Sequence, residues 1–269
     1  MRNLLYLLLA GMLFFGCTGP AGPADGAPEG GEPGAAEPPE GEAPDGGEAP
    51  EYMPEGLIEP SDLTYMGAFR LPEESGSSNW MWSGYGATYY PDGDPNGPDD
   101  GYPGSLFAVG HDQHQMVSEI SIPAPRIADS TKDLNTAETL QPFADITGNM
   151  FGYLEIPRQG LEYLPPQGEQ ETGKLHFAWG QHLENENTPT HGWAELDISD
   201  PQPIGRWHLD GHSAYTTNDY MFSIPENWAA ANTPGLLLAT GRFRDGRWSG
   251  LGPALYAYGP WNDGNPPAP

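Results

Sequence analysis

Positive charge is what this chain has least of. Lys132 and Lys174 are its only lysines, and 10 basic residues face 38 acidic ones, for a net charge of -28. A protein that grips phosphates needs a basic footprint, so nucleic acid and anionic membrane surfaces are excluded as partners of the domain itself. So acidic a surface suits a salty medium that screens self-repulsion, or serves solubility alone. Cysteine occurs once, at Cys17, which excludes a disulfide framework and, if Cys17 is not in the mature domain, a thiol nucleophile. Helical periodicity is almost missing after residue 56. There is also no glycine-rich phosphate loop followed by Lys, no nucleophile elbow and no strand-then-helix dinucleotide site.

What is present begins at the amino terminus. Arg2 precedes an apolar run, Leu4 to Phe15, and then Gly16 and Cys17. That run is shorter than the twenty or so apolar residues a bilayer span takes. It reads as the core of a secretory signal covering residues 1–16. From 17 to 57 the composition is almost wholly Gly, Pro, Ala, Glu and Asp, and residues 18–55 carry ten carboxylates and no Lys or Arg. Such a segment cannot bury enough apolar surface to offset its ordering entropy, so a disordered, extended stalk is expected.

Residues 58–269 hold nearly all the Trp and Tyr, in short alternating apolar runs between Gly, Pro, Asn and Asp clusters, the pattern of an all-β domain. The runs repeat, in units of about 64–123, 148–199 and 203–260. The first has expected strands at 65–71, 86–90, 105–110 and 117–122. The second has them at 151–156, 160–164, 175–180 and 193–198, and the third at 205–209, 220–224, 236–241 and 254–258. In each unit the second strand runs into proline (Pro91, Pro165, Pro225) and the third ends in glycine (Gly110, Gly180, Gly241). Four short strands per unit predict an all-β, β-propeller-like array of about three four-stranded blades. A closed propeller takes at least about four blades. The three units therefore predict a truncated propeller, a β-sandwich, or blades completed by another subunit.

In a meander of this kind the loops after the third strand and those entering the second open at one end. Pooled there are Trp80 and Trp82, expected on one side of a strand, with His111, Asp112, His114, Arg158, Gln181, His182, Glu184 and His191. His212, Tyr215, Asn218, Asp219, Arg242, Arg244, Asp245 and Arg247 complete the pool. Stacking of Trp80 and Trp82 on a sugar ring, with Arg158, Gln181, Arg242, Arg244 and Arg247 clamping carboxylates or sulfates, would make a glycan site. His111, His114, His182, His212 and Tyr215 are the candidates for acid and base work, and His111 and His114, with Asp112 between them, also for zinc. At the opposite end Asp92, Asp94 and Asn96 alternate like the start of a calcium loop, although Pro95 interrupts the pattern and Pro103 stands where its last ligand belongs. Calcium is the cofactor that loop would take.

Two resemblances add to this. A small residue directly before a cysteine that closes an apolar run resembles the lipobox of bacterial lipoproteins. It implies a lipid on Cys17, a membrane partner through that anchor and, with Thr18 after the cysteine, the outer membrane. The runs PDGDPNGPDDGYPGSLFAVGHD and VSEISIPAP resemble secreted propeller-like proteins of environmental bacteria, a likeness that carries no activity. The sequence thus supports three functions: binding of a periplasmic or extracellular ligand, foremost a carbohydrate; a polysaccharide lyase or glycoside hydrolase; and an interaction scaffold without catalysis.

Overall fold

The structure is a computed structural model, and it describes residues 59–97, 101–168, 170–182, 184, 186–209, 212–242 and 254–260. The signal, the stalk, Cys17, Arg244 and Arg247 lie outside the described residues. The chain divides into two units, Met1–Tyr65 and Met66–Pro269. Among the described residues of the first, a 3-10 turn occupies Pro60–Asp62. Among the described residues no helix is long and apolar enough to cross a membrane.

The second unit is all-β. Its strands are β1 (Ala87–Tyr90), β2 (Gly101–Val109), β3 (Val117–Pro123), β4 (Thr139–Ala144), β5 (Pro157–Leu164), β6 (Lys174–Gln181), β7 (His191–Ala194), β8 (Ile204–Trp207), β9 (Tyr220–Ser223), β10 (Leu238–Gly241) and β11 (Leu255–Tyr258). A short helix, α1 (Glu226–Asn232), joins β9 to β10. They form three antiparallel sheets in simple up-and-down order: β1-β2-β3-β4, β5-β6-β7-β8, and β9-β10-β11. The first strands of the sheets adjoin in series, β1 against β5 and β5 against β9.

The three sheets correct the expected unit boundaries by one strand. Residues 65–71 and 151–156 form no strand. The former makes only isolated pairings, Ala68 with Arg126 and Arg70 with Thr136. The fourth strand of the first sheet is instead β4, hidden in the sequence by Pro142. A proline is tolerated there because β4 is an edge strand, where a missing N–H leaves no ladder bond unmade. Likewise 204–207, expected to open the third unit, closes the second sheet as β8. The three prolines mark a true repeat, each falling just after the first strand of its sheet. The three glycines do not. Gly241 pairs with Tyr220, Gly180 with Arg158 two positions earlier in the repeat, and Gly110 lies beyond the end of β2.

Packing between sheets follows from the two-residue period of strands. Leu161 and Phe177 are paired across β5 and β6 and face the first sheet. There they join Phe107, Val109, Val117, Leu175 and Trp179 in the larger core. The opposite face of the second sheet offers Leu164 and Ala178, which meet Met221, Leu238 and Tyr258 of the third. Because the second sheet is covered on both faces, β6 and β7 are buried almost end to end, Lys174 and His176 included. Lys174 is accommodated by an ion pair with Glu195 and by the Trp193 ring, 4.9 Å away.

Two contacts recur from one sheet to the next. The Thr88 hydroxyl accepts the Tyr163 N–H at 2.8 Å, and one position on in the array the Glu162 carboxylate accepts the Ser223 N–H at 3.0 Å. A side chain at Gly86 would stand 2.7 Å from the backbone of Leu161, and one at Gly160 2.7 Å from that of Tyr220. Glycine at both sites is what lets successive first strands approach so closely.

Candidate functional site

Strand direction alternates, so the start of β1, the β2–β3 hairpin, the start of β5, the β6–β7 loop and the start of β9 all open at one end of the sheets. Three equivalent positions lead into the first strands there: Tyr85, Gln159 and Asp219. Arg158 ties the first of these to the third. Its Nη1 donates to the Tyr85 hydroxyl at 2.7 Å, its guanidinium lies 5.2 Å from the Tyr85 ring centre, and its Nε stands 3.6 Å from Asp219 Oδ1. One partly buried chain of polar groups thus runs across all three sheets. A desolvated ion pair of this kind fixes geometry more than it adds stability. Gln159 and Asn218 are fully buried beside it. Sequence reasoning singled out Arg158, Asn218 and Asp219 but missed Tyr85 and Gln159. Aligning the three first strands on their prolines would have found both, since each stands six residues before Pro91 or Pro165.

The β2–β3 hairpin joins two neighbouring loops. Its His111 N–H donates to the Asn79 carbonyl at 2.7 Å, and Asn79 in turn accepts the Met81 N–H. On its other side Gln113 Nε2 donates to the Glu155 carbonyl at 2.8 Å and Gln115 Nε2 to that of Gly152 at 3.0 Å. Trp82 projects from the first of these loops and Tyr153 from the second, 73% and 79% exposed. Trp82 has φ of 58°, a left-handed backbone that bulky residues rarely adopt. Trp80 and Trp82 therefore sit in a turn rather than on one side of a strand. Trp80 is folded inward onto Phe143, with ring centres 4.6 Å apart.

The histidines keep separate company. His111 and His114 stack at 4.3 Å, with His111 Nδ1 3.3 Å from Asp112 and His114 Nδ1 3.0 Å from the Ser78 hydroxyl. His182 lies 5.4 Å from the Tyr215 ring, and His212 4.2 Å from that of Tyr256. Tyr215 is buried, so its phenol does not face a polymer in solvent. His191 is no loop residue but the first residue of β7, packed edge-on to Tyr258 at 5.1 Å. Burial holds its pKa down to about 3, and burial followed by the nearness of His191 and Lys174 does the same for His176. Both rings are neutral structural groups at pH 7.

The remaining candidates are placed as follows. Gln181 Oε1 accepts the Ile156 N–H at 3.3 Å. Arg242 is buried just past β10, its N–H donating to the Ala254 carbonyl. At the other end of the sheets Asp94 Oδ1 accepts the Asn96 N–H at 2.8 Å, the hydrogen bond of a turn. Among the described residues no group of three His, Cys, Asp or Glu side chains is placed to hold a metal ion. No family model, no curated protein and no solved structure matches the chain.

Proposed function

We propose that this is an exported, lipid-anchored protein of the outer membrane whose three sheets are blades of a propeller-like array and whose hairpin end binds carbohydrate. The observation that carries the ligand is the pair of outward aromatic side chains, Trp82 and Tyr153, on loops bonded to one hairpin. Exposed rings cost water contact unless something covers them, and the apolar face of a pyranose stacks on such rings. The left-handed backbone at Trp82 fits this reading, because strain is retained where a side chain has to be presented rather than packed. The stalk would act as a spacer between the domain and the membrane.

The buried Tyr215 removes the phenol from the set of groups a lyase would use, and binding without bond cleavage is the better reading. A polysaccharide array probed with the full chain should show ligands whose affinity falls about tenfold or more in Trp82→Ala, a loss of roughly 1.4 kcal/mol. No glycan bound, or binding indifferent to both Trp82→Ala and Tyr153→Ala, would overturn it.

A further inference from the structure

The loop between β1 and β2, at the end of the sheets away from the β2–β3 hairpin, buries a carboxylate. Asp94 is 9% exposed. Its Oδ1 accepts the Asn96 N–H at 2.8 Å and its carbonyl accepts that of Gly97 at 3.2 Å, so the carboxylate is folded back into the turn at 94–97. The second oxygen, Oδ2, is buried there with no hydrogen-bond partner. A buried carboxylate oxygen left unpaired is costly, and a native fold keeps one only for a reason, a bound ion or water foremost.

A second carboxyl group raises that cost. Gly93 is pressed so closely on the first sheet that a side chain there would overlap the Ser105 hydroxyl and the Glu119 carboxylate. Glu119 is buried and accepts hydrogen bonds from Ser105 Oγ and, at 2.7 Å, from Gln141 Nε2. It therefore lies against the residue next to Asp94. Among the described residues no Lys, Arg or His forms an ion pair with Asp92, Asp94 or Glu119. Water can satisfy a lone pair, but only a cation offsets charge gathered in this way.

Asp92, Asp94 and Asn96 occupy the first, third and fifth positions of a calcium loop, and Gly97 the sixth, where such a loop turns sharply. Gly97 has φ of 58° and nothing within 4 Å of where a Cβ would stand, so glycine serves the left-handed backbone there rather than close packing. Pro95 falls at the fourth position, which supplies no ligand. Asp92 and Asn96 are exposed, and neither side chain is hydrogen-bonded among the described residues. We propose that the turn at 92–97 binds a calcium ion through Asp94 Oδ2, joined by the Asp92 carboxylate and the Asn96 amide oxygen, with water filling the remaining positions. Two carboxylates and an amide are hard oxygen donors of the kind calcium takes. Pro103 stands where a tighter loop has its bidentate glutamate, so a dissociation constant of about 10⁻⁴–10⁻³ M is expected, the range of extracellular modules.

The test is terbium luminescence of the full chain, excited through its aromatic residues. Terbium takes calcium's oxygen ligands, and Tyr90 stands just before Asp92 to sensitise it. A saturable signal that calcium chloride displaces is expected, with magnesium chloride at least about tenfold weaker because that ion sheds its own water reluctantly. Asp94→Asn keeps an acceptor for the Asn96 N–H and removes the charge, and should weaken calcium at least about tenfold. Asp129→Asn removes the same charge from an exposed position elsewhere and should leave calcium affinity unchanged, which separates the turn from loose binding to an acidic chain. Asn96→Ala leaves its backbone N–H on Asp94, should also weaken calcium, and serves where circular dichroism shows Asp94→Asn unfolded. No saturable signal, displacement by magnesium as good as by calcium, full calcium affinity in either folded turn variant, or an equal loss in Asp129→Asn would each overturn the site. Glycan binding is probed at Trp82, at the other end of the sheets, so failure here leaves that reading untouched.

Discussion

The two joints between sheets share strand order, the recurring side-chain to backbone bond and the glycine close approach, yet they are glued differently. The first-to-second joint is an apolar core centred on Phe107, Leu161, Phe177 and Trp179. The second-to-third joint has a smaller apolar cluster and fills the rest with Glu162, His176 and His191. One architecture can thus be held mainly by apolar burial on one side and by a smaller apolar cluster with several buried titratable groups on the other. Hydrophobic burial scales with area and needs no partner, whereas each buried polar group has to keep its partner or its neutrality.

Acid should separate the joints most strongly. His176 and His191 have folded pKa values of about 3 against an ordinary 6.5, so the unfolded chain binds protons first as pH drops. Their contribution is complete above about pH 6.5 and is lost as pH falls toward 3, at about 1.4 kcal/mol per pH unit for each histidine. Urea melts between pH 7 and 4 should show this loss. His191→Leu should make the slope shallower, and an unchanged slope would break the comparison.

Next in size is Phe177→Ala, which hollows the apolar joint. A loss of roughly 3–5 kcal/mol is expected, with the same pH slope as the parent chain, since no titrating group is touched. A variant that also altered the slope would mean that the joints are not independent. The smallest effect belongs to Glu162→Gln. Burial raises the Glu162 pKa despite its hydrogen bonds from Ser223 and Thr88. A raised carboxylate pKa means stability that is complete below the ordinary value of 4.5 and declines as pH rises through the folded one. The amide still accepts from Ser223, so this variant should equal or exceed the parent at pH 7 by up to about 1 kcal/mol, read in thermal melts.

Much of the fold was legible because short alternating runs have few other destinations. Residues 86–90, 160–164 and 220–224 were read as equivalent strands, and their prolines held. What misled was local resemblance. Gly110, Gly180 and Gly241 look like one repeating stop, but each occupies a different register, since a glycine marks a bend or a close contact without saying which residue it faces. Pro142 concealed β4, and the wholly buried β6 and β7 showed no clean alternation because both their faces are covered. At the site, the pool could not tell an exposed Trp82 from an inward Trp80 two residues earlier. That distinction depends on Phe143, distant in sequence, being there to receive the second ring.

The sequence by itself determined the acidic, lysine-poor chemistry, the stalk composition, the all-β class and the repeat of first strands. Each follows from composition or from a two-residue period. Only the tertiary structure decided which strands share a sheet and that Tyr85, Arg158 and Asp219 form one chain across three sheets. Those facts depend on which side of a strand meets which neighbour, and a pattern of period two is the same whichever side is covered.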